Sequence, residues 1–375
     1  MKTIFINGAN GYVASNFINK LLTQNYKVIA LVRSSSKYSS DERMRDALSE
    51  INDGEYKNIK NLKVYSYSLL DDNFSIPQKH LEDIFKGDVD YFHFAASLKF
   101  DFKSKNEIFE TNLKGVENSI KVFSKYAKNS SRFFFIGTAY SCGKSSGLFE
   151  EKFYADEDIS SFRNYYELSK RVAENIVKKH IDKSGLNGHV IRLSQVVGNN
   201  KTGVTKTDYG IFDFTKRIHS LAYKYPNKTV RVHVNPDSTQ NLIPIDTVVG
   251  YLTRTIEVNK VPVIMNFISK NPIKNIHIIN SICKLLPIKI IPTKNIDRED
   301  MDALERLISV GMSFTGGYNN TNILFDTKQL DKVIISDDNE VNEHTIFKML
   351  EYFIKKLSEK KKSNVLNPDS YRKAI

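Results

Sequence analysis

Cysteine is scarce in this sequence. Cys142 and Cys283 are the two present, far apart and at no metal-type spacing, which argues against a disulfide framework or a zinc site. A reducing, cytoplasmic setting fits that scarcity. Long apolar runs are missing too: none approaches the roughly 20 residues that cross a bilayer, so no membrane span is expected. The start lacks the apolar core and cleavage pattern of a secretory leader. Met1-Lys2 passes straight into Thr3-Ile4-Phe5-Ile6 and a glycine-rich turn, which reads as a first strand.

What is present is ordinary globular material, 41% hydrophobic and 26% charged over 375 residues. That length suits a large α/β unit or a nucleotide-binding domain with a lesser second lobe. The net charge of +12 would speed association with an anionic partner. The lysines are nevertheless dispersed, and the densest run, from Lys355-Lys356 to Lys360-Lys361-Lys362, falls on an expected solvated C-terminal helix. A lysine-rich background explains this better than a nucleic-acid surface. His180, His189, His219, His233 and His277 fall at no metal-ligand spacing, so no metal is expected.

Short β-branched or aromatic runs at 3–6, 27–32, 62–67, 89–94, 132–136 and 189–193 alternate with amphipathic stretches at 12–24, 40–51, 105–128 and 164–183. Such alternation predicts βαβ units and a parallel, doubly wound sheet, that is, an α/β (Rossmann) fold. Continuous apolar character, as in Phe133-Phe134-Phe135-Ile136, predicts strands buried on both faces. After Gly198 the rhythm changes to a polar segment, a helix over 211–224 and strands over 229–234 and 263–267. The expected division is a nucleotide-binding domain of 1–198 completed by 226–268, a smaller, mostly helical substrate lobe of 199–225 and 269–362, and a flexible tail of 363–375. The isoleucine- and leucine-rich stretch 276–291 reads as an amphipathic helix covering the substrate site or a neighbouring subunit, rather than a membrane anchor.

Directly after the first strand stands Gly8-Ala9-Asn10-Gly11-Tyr12-Val13-Ala14. The first glycine permits a tight reversal, the second a close approach to a pyrophosphate, and the small third residue close helix–strand packing. The following helix N-terminus attracts the phosphate charge. The second strand ends in Arg33-Ser34-Ser35-Ser36-Lys37, without the carboxylate that would bind a free ribose 2′-hydroxyl. A 2′-phosphate would find a guanidinium and hydroxyls there, so the expected cofactor is NADP(H). On an expected helix, Tyr166-Glu167-Leu168-Ser169-Lys170 puts a phenol and an ammonium one turn apart on one face. A positive charge so placed favours the phenolate, as a proton-transferring tyrosine requires.

Taken together, the Gly8–Ala14 turn, His93-Phe94-Ala95-Ala96, Asn112 in Thr111-Asn112-Leu113-Lys114-Gly115, Thr138 and Tyr166…Lys170 resemble the extended short-chain dehydrogenase/reductase superfamily over roughly the first 250 residues. The resemblance implies that Tyr166 exchanges a proton with the substrate oxygen, that Lys170 binds the nicotinamide ribose, that Thr138 bonds the reacting oxygen and that Asn112 supports the relay. It also implies cofactor contacts at Gly8, Asn10, Gly11, Tyr12, Val13, Arg33, Ser34, Ala95, Ala96, Lys170, Leu193 and Ser194. Thr138 keeps the hydroxyl of the commoner serine, and Tyr165 lacks a lysine four residues on. Segments around Ser97-Leu98-Lys99-Phe100-Asp101, Gly137-Thr138-Ala139-Tyr140, Val196-Val197-Gly198 and Asn241-Leu242-Ile243-Pro244-Ile245-Asp246 are similar to thioester-reductase and fatty-acyl reductase ("male sterility") domains. After the third strand, Tyr67-Ser68-Leu69 departs from the relatives' usual Gly-Asp before leucine, where an adenine contact is expected.

This resemblance implies reduction of an acyl thioester, presented by a separate acidic acyl carrier protein or as a CoA ester, to an aldehyde or alcohol, with neither cysteine acting as a nucleophile. A nucleotide-sugar epimerase, dehydratase or reductase on the same scaffold stands as the alternative, and a non-enzymatic NADPH-binding scaffold as a remoter one. The chain is expected to be a monomer or homodimer.

Overall fold

The β-branched and amphipathic runs become alternating strands and helices in the computed structural model, which describes residues 2–24, 26–52, 54, 60–145, 147–311, 317–318, 321–334 and 340–366. In chain order the first part comprises β1 (Thr3–Asn7), α1 (Tyr12–Thr23), β2 (Lys27–Val32), α2 (Ser40–Ile51), β3 (Leu62–Ser66), α3 (Gln78–Ile84) and β4 (Val89–His93). There follow α4 (Lys105–Phe109), α5 (Gly115–Tyr126), β5 (Arg132–Thr138), β6 (Leu148–Phe149), α6 (Tyr165–Ser184) and β7 (Gly188–Leu193). The rest comprises β8 (Gln195–Val197), α7 (Ile211–Lys224), β9 (Lys228–His233), β10 (Thr239–Gln240), β11 (Leu242–Pro244), α8 (Ile245–Glu257) and β12 (Ile264–Phe267). Then come β13 (Ile273–Lys274), α9 (Asn275–Leu285), β14 (Ile288–Thr293), α10 (Ala303–Gly311), β15 (Leu324–Phe325) and α11 (Glu343–Leu366).

One unit is built from Met1–Ser194, Thr247–Ile268 and Leu324–Asp337. Its seven-stranded sheet has the order β3-β2-β1-β4-β5-β7-β12, parallel throughout. This is the expected doubly wound α/β architecture, and the order reverses direction at β1, beside which ligands bind in such sheets. Because successive strand residues face opposite ways, the aromatic runs form two ladders. Phe5, Tyr91 and Phe133 line one face, with centroids 4.8 and 5.1 Å apart. Phe92, Phe134 and His189 line the other, at 4.4 and 4.9 Å. Phe133, Phe134 and Phe135 have no exposed surface, as strands covered on both faces require. The late segment carrying β15 pairs with β6. It is pinned by the buried Glu151, whose carboxylate accepts the amides of Asn266, Gln329 and Leu330.

The second unit is built from Gln195–Asp246, Ser269–Ile323 and Asp338–Ile375. Helices α7, α9, α10 and α11 share a core that includes Phe212, Ile218, Ile282, Ile346 and Leu350, and short strand pairs β8–β11, β9–β14 and β10–β13 complete it. Within 226–268, therefore, β12 joins the large sheet while β9 pairs in the second unit. The helix expected over 276–291 stops at Leu285 instead. Pro287 lacks an amide proton and forces Leu286 into extended backbone (φ −126°, ψ 146°). Ile288-Lys289-Ile290-Ile291 then alternates buried and exposed at the start of β14. Helix α11 continues through 363–366; the remainder of the expected tail, 367–375, lies outside the described residues. Among the described residues no helix is long and apolar enough to cross a membrane.

Candidate active site

The glycine-rich turn is shaped by close packing. Gly8 has φ +61°, and a Cβ there would stand 2.8 Å from the Ala95 amide nitrogen, so only glycine fits. Asn7 ties the ends of β1 and β4 together, its Oδ1 accepting the amides of Phe94 and Ala95 at 2.9 and 3.0 Å. Gly11 caps α1 without a side-chain hydrogen bond, and the first turn of α1 holds no acid. The positive end of the α1 dipole, at Tyr12 and Val13, suits a phosphate, beside the half-buried Asn10 and the fully buried Ala14. A dinucleotide fits this cradle. Ala95 and Ala96 border it from the end of β4, and at the end of β7 the buried hydroxyl of Ser194 has no partner among the described residues, next to buried Leu193.

At the ends of β2 and β3, Val32 lies in register with Ser66. The hydroxyls of Ser34 and Ser66 meet at 2.8 Å. Arg33 is exposed, and its carbonyl accepts a hydrogen bond from the Arg43 guanidinium. Arg43 projects from α2, whose start is fixed by a capping box between Ser39 and Glu42. This second cation was not singled out from the sequence, because it lies ten residues from Arg33 and only the start of α2 brings it back.

Helix α6 opens on Asn164, whose side chain accepts the Glu167 amide at 2.9 Å. Tyr166 therefore sits in the first turn, half-buried, with its ring edge-on to Phe100 at 5.2 Å. Tyr165 turns to a different cluster, against Phe102 and Phe109 at 5.3 and 5.9 Å. One turn beyond Tyr166, Lys170 is buried and donates to the Ile136 carbonyl at 2.9 Å, over the face of Phe135. Burial pushes its pKa down to about 8, against the opposing pull of Glu174.

That depression has a consequence for stability. The folded pKa lies below the ordinary 10.5, so between the two the unfolded chain holds a proton the folded chain has released, and stability rises with pH across that window. At pH 7 the buried ammonium costs on the order of 3 kcal/mol. Lys170→Met is expected to be more stable than wild type in urea unfolding at pH 7, with the advantage fading as the pH approaches 10.5. A less stable variant at pH 7 would mean that the ammonium contributes net stability.

Thr138 ends β5, buried, its hydroxyl donating to the Leu193 carbonyl at 3.3 Å and accepting the Tyr140 amide at 3.2 Å. Asn112 lies on a π-helical turn, Glu110–Lys114, that interrupts the helix expected over 105–128. Its Oδ1 accepts the Ser97 amide at 2.7 Å and its Nδ2 donates to the Ser169 hydroxyl at 2.9 Å. Ser169 in turn donates to the Tyr166 carbonyl at 2.8 Å, so Asn112 is fastened to the first turn of α6. Thr138, Asn112, Tyr166 and Lys170 all belong to the first unit. Cys142 is buried, which pushes its thiol up to about 12 and leaves no thiolate at neutral pH. Burial, with the Lys170 charge adding, holds His93 neutral, down at about 3.

Residues 6–252 match a family model described as "Male sterility protein". The chain is 26% identical over 265 residues to an L-2-aminoadipate reductase of Schizosaccharomyces pombe, covering 67% of this chain and 18% of that one. It is 26% identical over 196 residues to a probable fatty acyl-CoA reductase 5 of Arabidopsis thaliana, covering 48% and 39%. The chain thus spans well under half the length of either relative. Among solved structures, a thiolation-reductase di-domain from an archaeal non-ribosomal peptide synthetase superposes with a TM-score of 0.74 at 18% identity, covering 94% of this chain and 75% of that one.

Proposed function

The chain belongs to the male sterility protein family, and from that membership we propose that it is an NADP(H)-dependent reductase of acyl thioesters, of the extended short-chain dehydrogenase/reductase type. The observation that carries the redox part of this reading is the buried Lys170 one turn below Tyr166, on a helix held to Asn112 through Ser169. A dinucleotide with its pyrophosphate on the Gly8–Val13 turn and Lys170 at its nicotinamide ribose would supply the hydride. The Tyr166 hydroxyl donates a proton to the thioester oxygen as negative charge develops there, and the Thr138 hydroxyl, turning its one proton away from the long bond to the Leu193 carbonyl, donates to the same oxygen. The hemithioacetal so formed loses its thiol and leaves an aldehyde, which a second round would take to an alcohol. With Cys142 buried and protonated, no acyl-enzyme is needed.

Arg33, Arg43 and the Ser34/Ser66 hydroxyls support NADP(H) over NAD(H), because together they suit a 2′-phosphate. The thioester rests on the relatives' names, one an acyl-CoA reductase and one joined to a thiolation domain. The net charge of +12 favours delivery by an acidic acyl carrier protein.

The test is NADPH consumption by the purified protein on acyl-CoA, acyl-pantetheine and carrier-bound acyl substrates, with NADH in parallel and product analysis by mass spectrometry. Aldehyde or alcohol formation, faster with NADPH, is expected, with a steeper loss on adding salt for the carrier-bound substrate than for the pantetheine mimic. No consumption, with NAD retained through purification, would move the reading to nucleotide-sugar chemistry. Equal use of NADH would remove the phosphate argument.

A further inference from the structure

Tyr67 follows the last residue of β3, and since Ser66 is in register with Val32, it stands beside Arg33 at the strand ends. Its ring is buried, 7% exposed, and packs edge-on against Phe74 at 5.9 Å. Phe74 is itself fully buried in a left-handed turn in which three successive non-glycine residues, Asn73, Phe74 and Ser75, take φ of 51°, 60° and 58°. Each such residue costs roughly 1–2 kcal/mol. Hydrogen bonds offset that cost: Asn118 donates to the carbonyls of Leu69 and Asp71, and Tyr126 donates to Asn73. The strained turn thus holds Tyr67 in one position.

The buried ring carries its hydroxyl to the glycine-rich turn, where it accepts the Gly8 amide at 3.2 Å. A phenol has a proton to give as well as lone pairs to receive. Among the described residues that proton has no acceptor. Once a bound dinucleotide excludes water from it, such a donor left unsatisfied would cost about 1–3 kcal/mol. The positive charges of Arg33 and Arg43 act on the same hydroxyl, so an acceptor rich in negative charge suits all three groups.

We propose that Tyr67 is a further cofactor-binding residue, whose hydroxyl donates a hydrogen bond to an acceptor on the adenosine half of the dinucleotide while accepting the Gly8 amide. The inference rests on the dinucleotide reading above but not on the thioester.

Calorimetric titration of wild type and Tyr67→Phe with 2′,5′-ADP, 5′-AMP and reduced nicotinamide mononucleotide tests it. The variant keeps the ring against Phe74 and is expected to bind 2′,5′-ADP about fivefold more weakly, the worth of one hydrogen bond. Reduced nicotinamide mononucleotide, which lacks the adenosine half, should stay within about twofold. A loss with 2′,5′-ADP alone puts the acceptor on the 2′-phosphate, and a loss with 5′-AMP as well puts it on ribose or base. Unchanged binding of 2′,5′-ADP, or an equal loss with the mononucleotide, overturns the proposal. Failure of the wild-type protein to bind 2′,5′-ADP would instead overturn the NADP(H) reading beneath it.

Discussion

Tyr166→Phe is expected to lower kcat for thioester reduction by about 10²–10⁴-fold, the usual worth of a positioned general acid. The affinity for NADPH should stay within about twofold of wild type, because the proposed role of the lost hydroxyl is toward the substrate and not the cofactor, while the ring contact with Phe100 survives. The control is Tyr165→Phe. That neighbouring phenol sits among Phe102 and Phe109 with the Lys105 ammonium over its ring, so its hydroxyl should be dispensable for the chemistry. Single-turnover hydride transfer, followed by NADPH absorbance, separates the two. A normal rate in Tyr166→Phe would remove the proposed proton donor, and a collapse in Tyr165→Phe alone would transfer the role.

One turn beyond Lys170 on α6, Glu174→Ala should cost about 3–5 kcal/mol, the penalty for leaving a buried charge without its partner. Glu174 and Arg192 have no exposed side-chain surface. Arg192 reaches both carboxylate oxygens, at 2.7 and 3.1 Å, and its remaining donors bind the Glu150 and Lys152 carbonyls at 3.1 and 3.0 Å. The Ser141 hydroxyl completes the group at 2.9 Å from Glu174. Urea unfolding of Glu174→Ala and of the double variant Glu174→Ala/Arg192→Met gives the comparison. The double variant should recover much of the loss, since it removes the orphaned guanidinium. By contrast Lys121–Asp72, with side chains 69% and 86% exposed, should cost less than about 1 kcal/mol when broken. A Glu174→Ala loss of that small size would mean that water reaches Arg192.

The residues of β2, α2 and α7 read directly from the sequence, because their apolar periods are clean and their ends are marked by Arg33, a capping box and a glycine. The π turn at Glu110–Lys114 did not, since nothing in its composition breaks a helix. What accompanies it is tertiary: Asn112 is committed to Ser97 and Ser169, one 15 and the other 57 residues away. Strands β6 and β15 are two residues each, too short to show a period. At the site, the Gly8–Val13 turn and the Tyr166/Lys170 spacing are local patterns and were visible. Arg43 and Tyr67 become neighbours of Arg33 only through a helix start and a strand register, and Tyr67 registered in the sequence as a departure from a pattern rather than as a group with a position of its own.

The return of the chain through Leu324–Phe325 has a bearing on biosynthesis. A nascent chain that has emerged as far as β12 already contains every strand of the large sheet, and domains generally begin to fold from the N-terminal side during translation. Glu151, however, takes two of its three amide donors from Gln329 and Leu330, so until those residues emerge its carboxylate must stay hydrated and the β6 edge beside it open. Closure of the first unit therefore waits on the synthesis of most of the second, and a fragment cut between the two in sequence would carry an unfinished edge at β6.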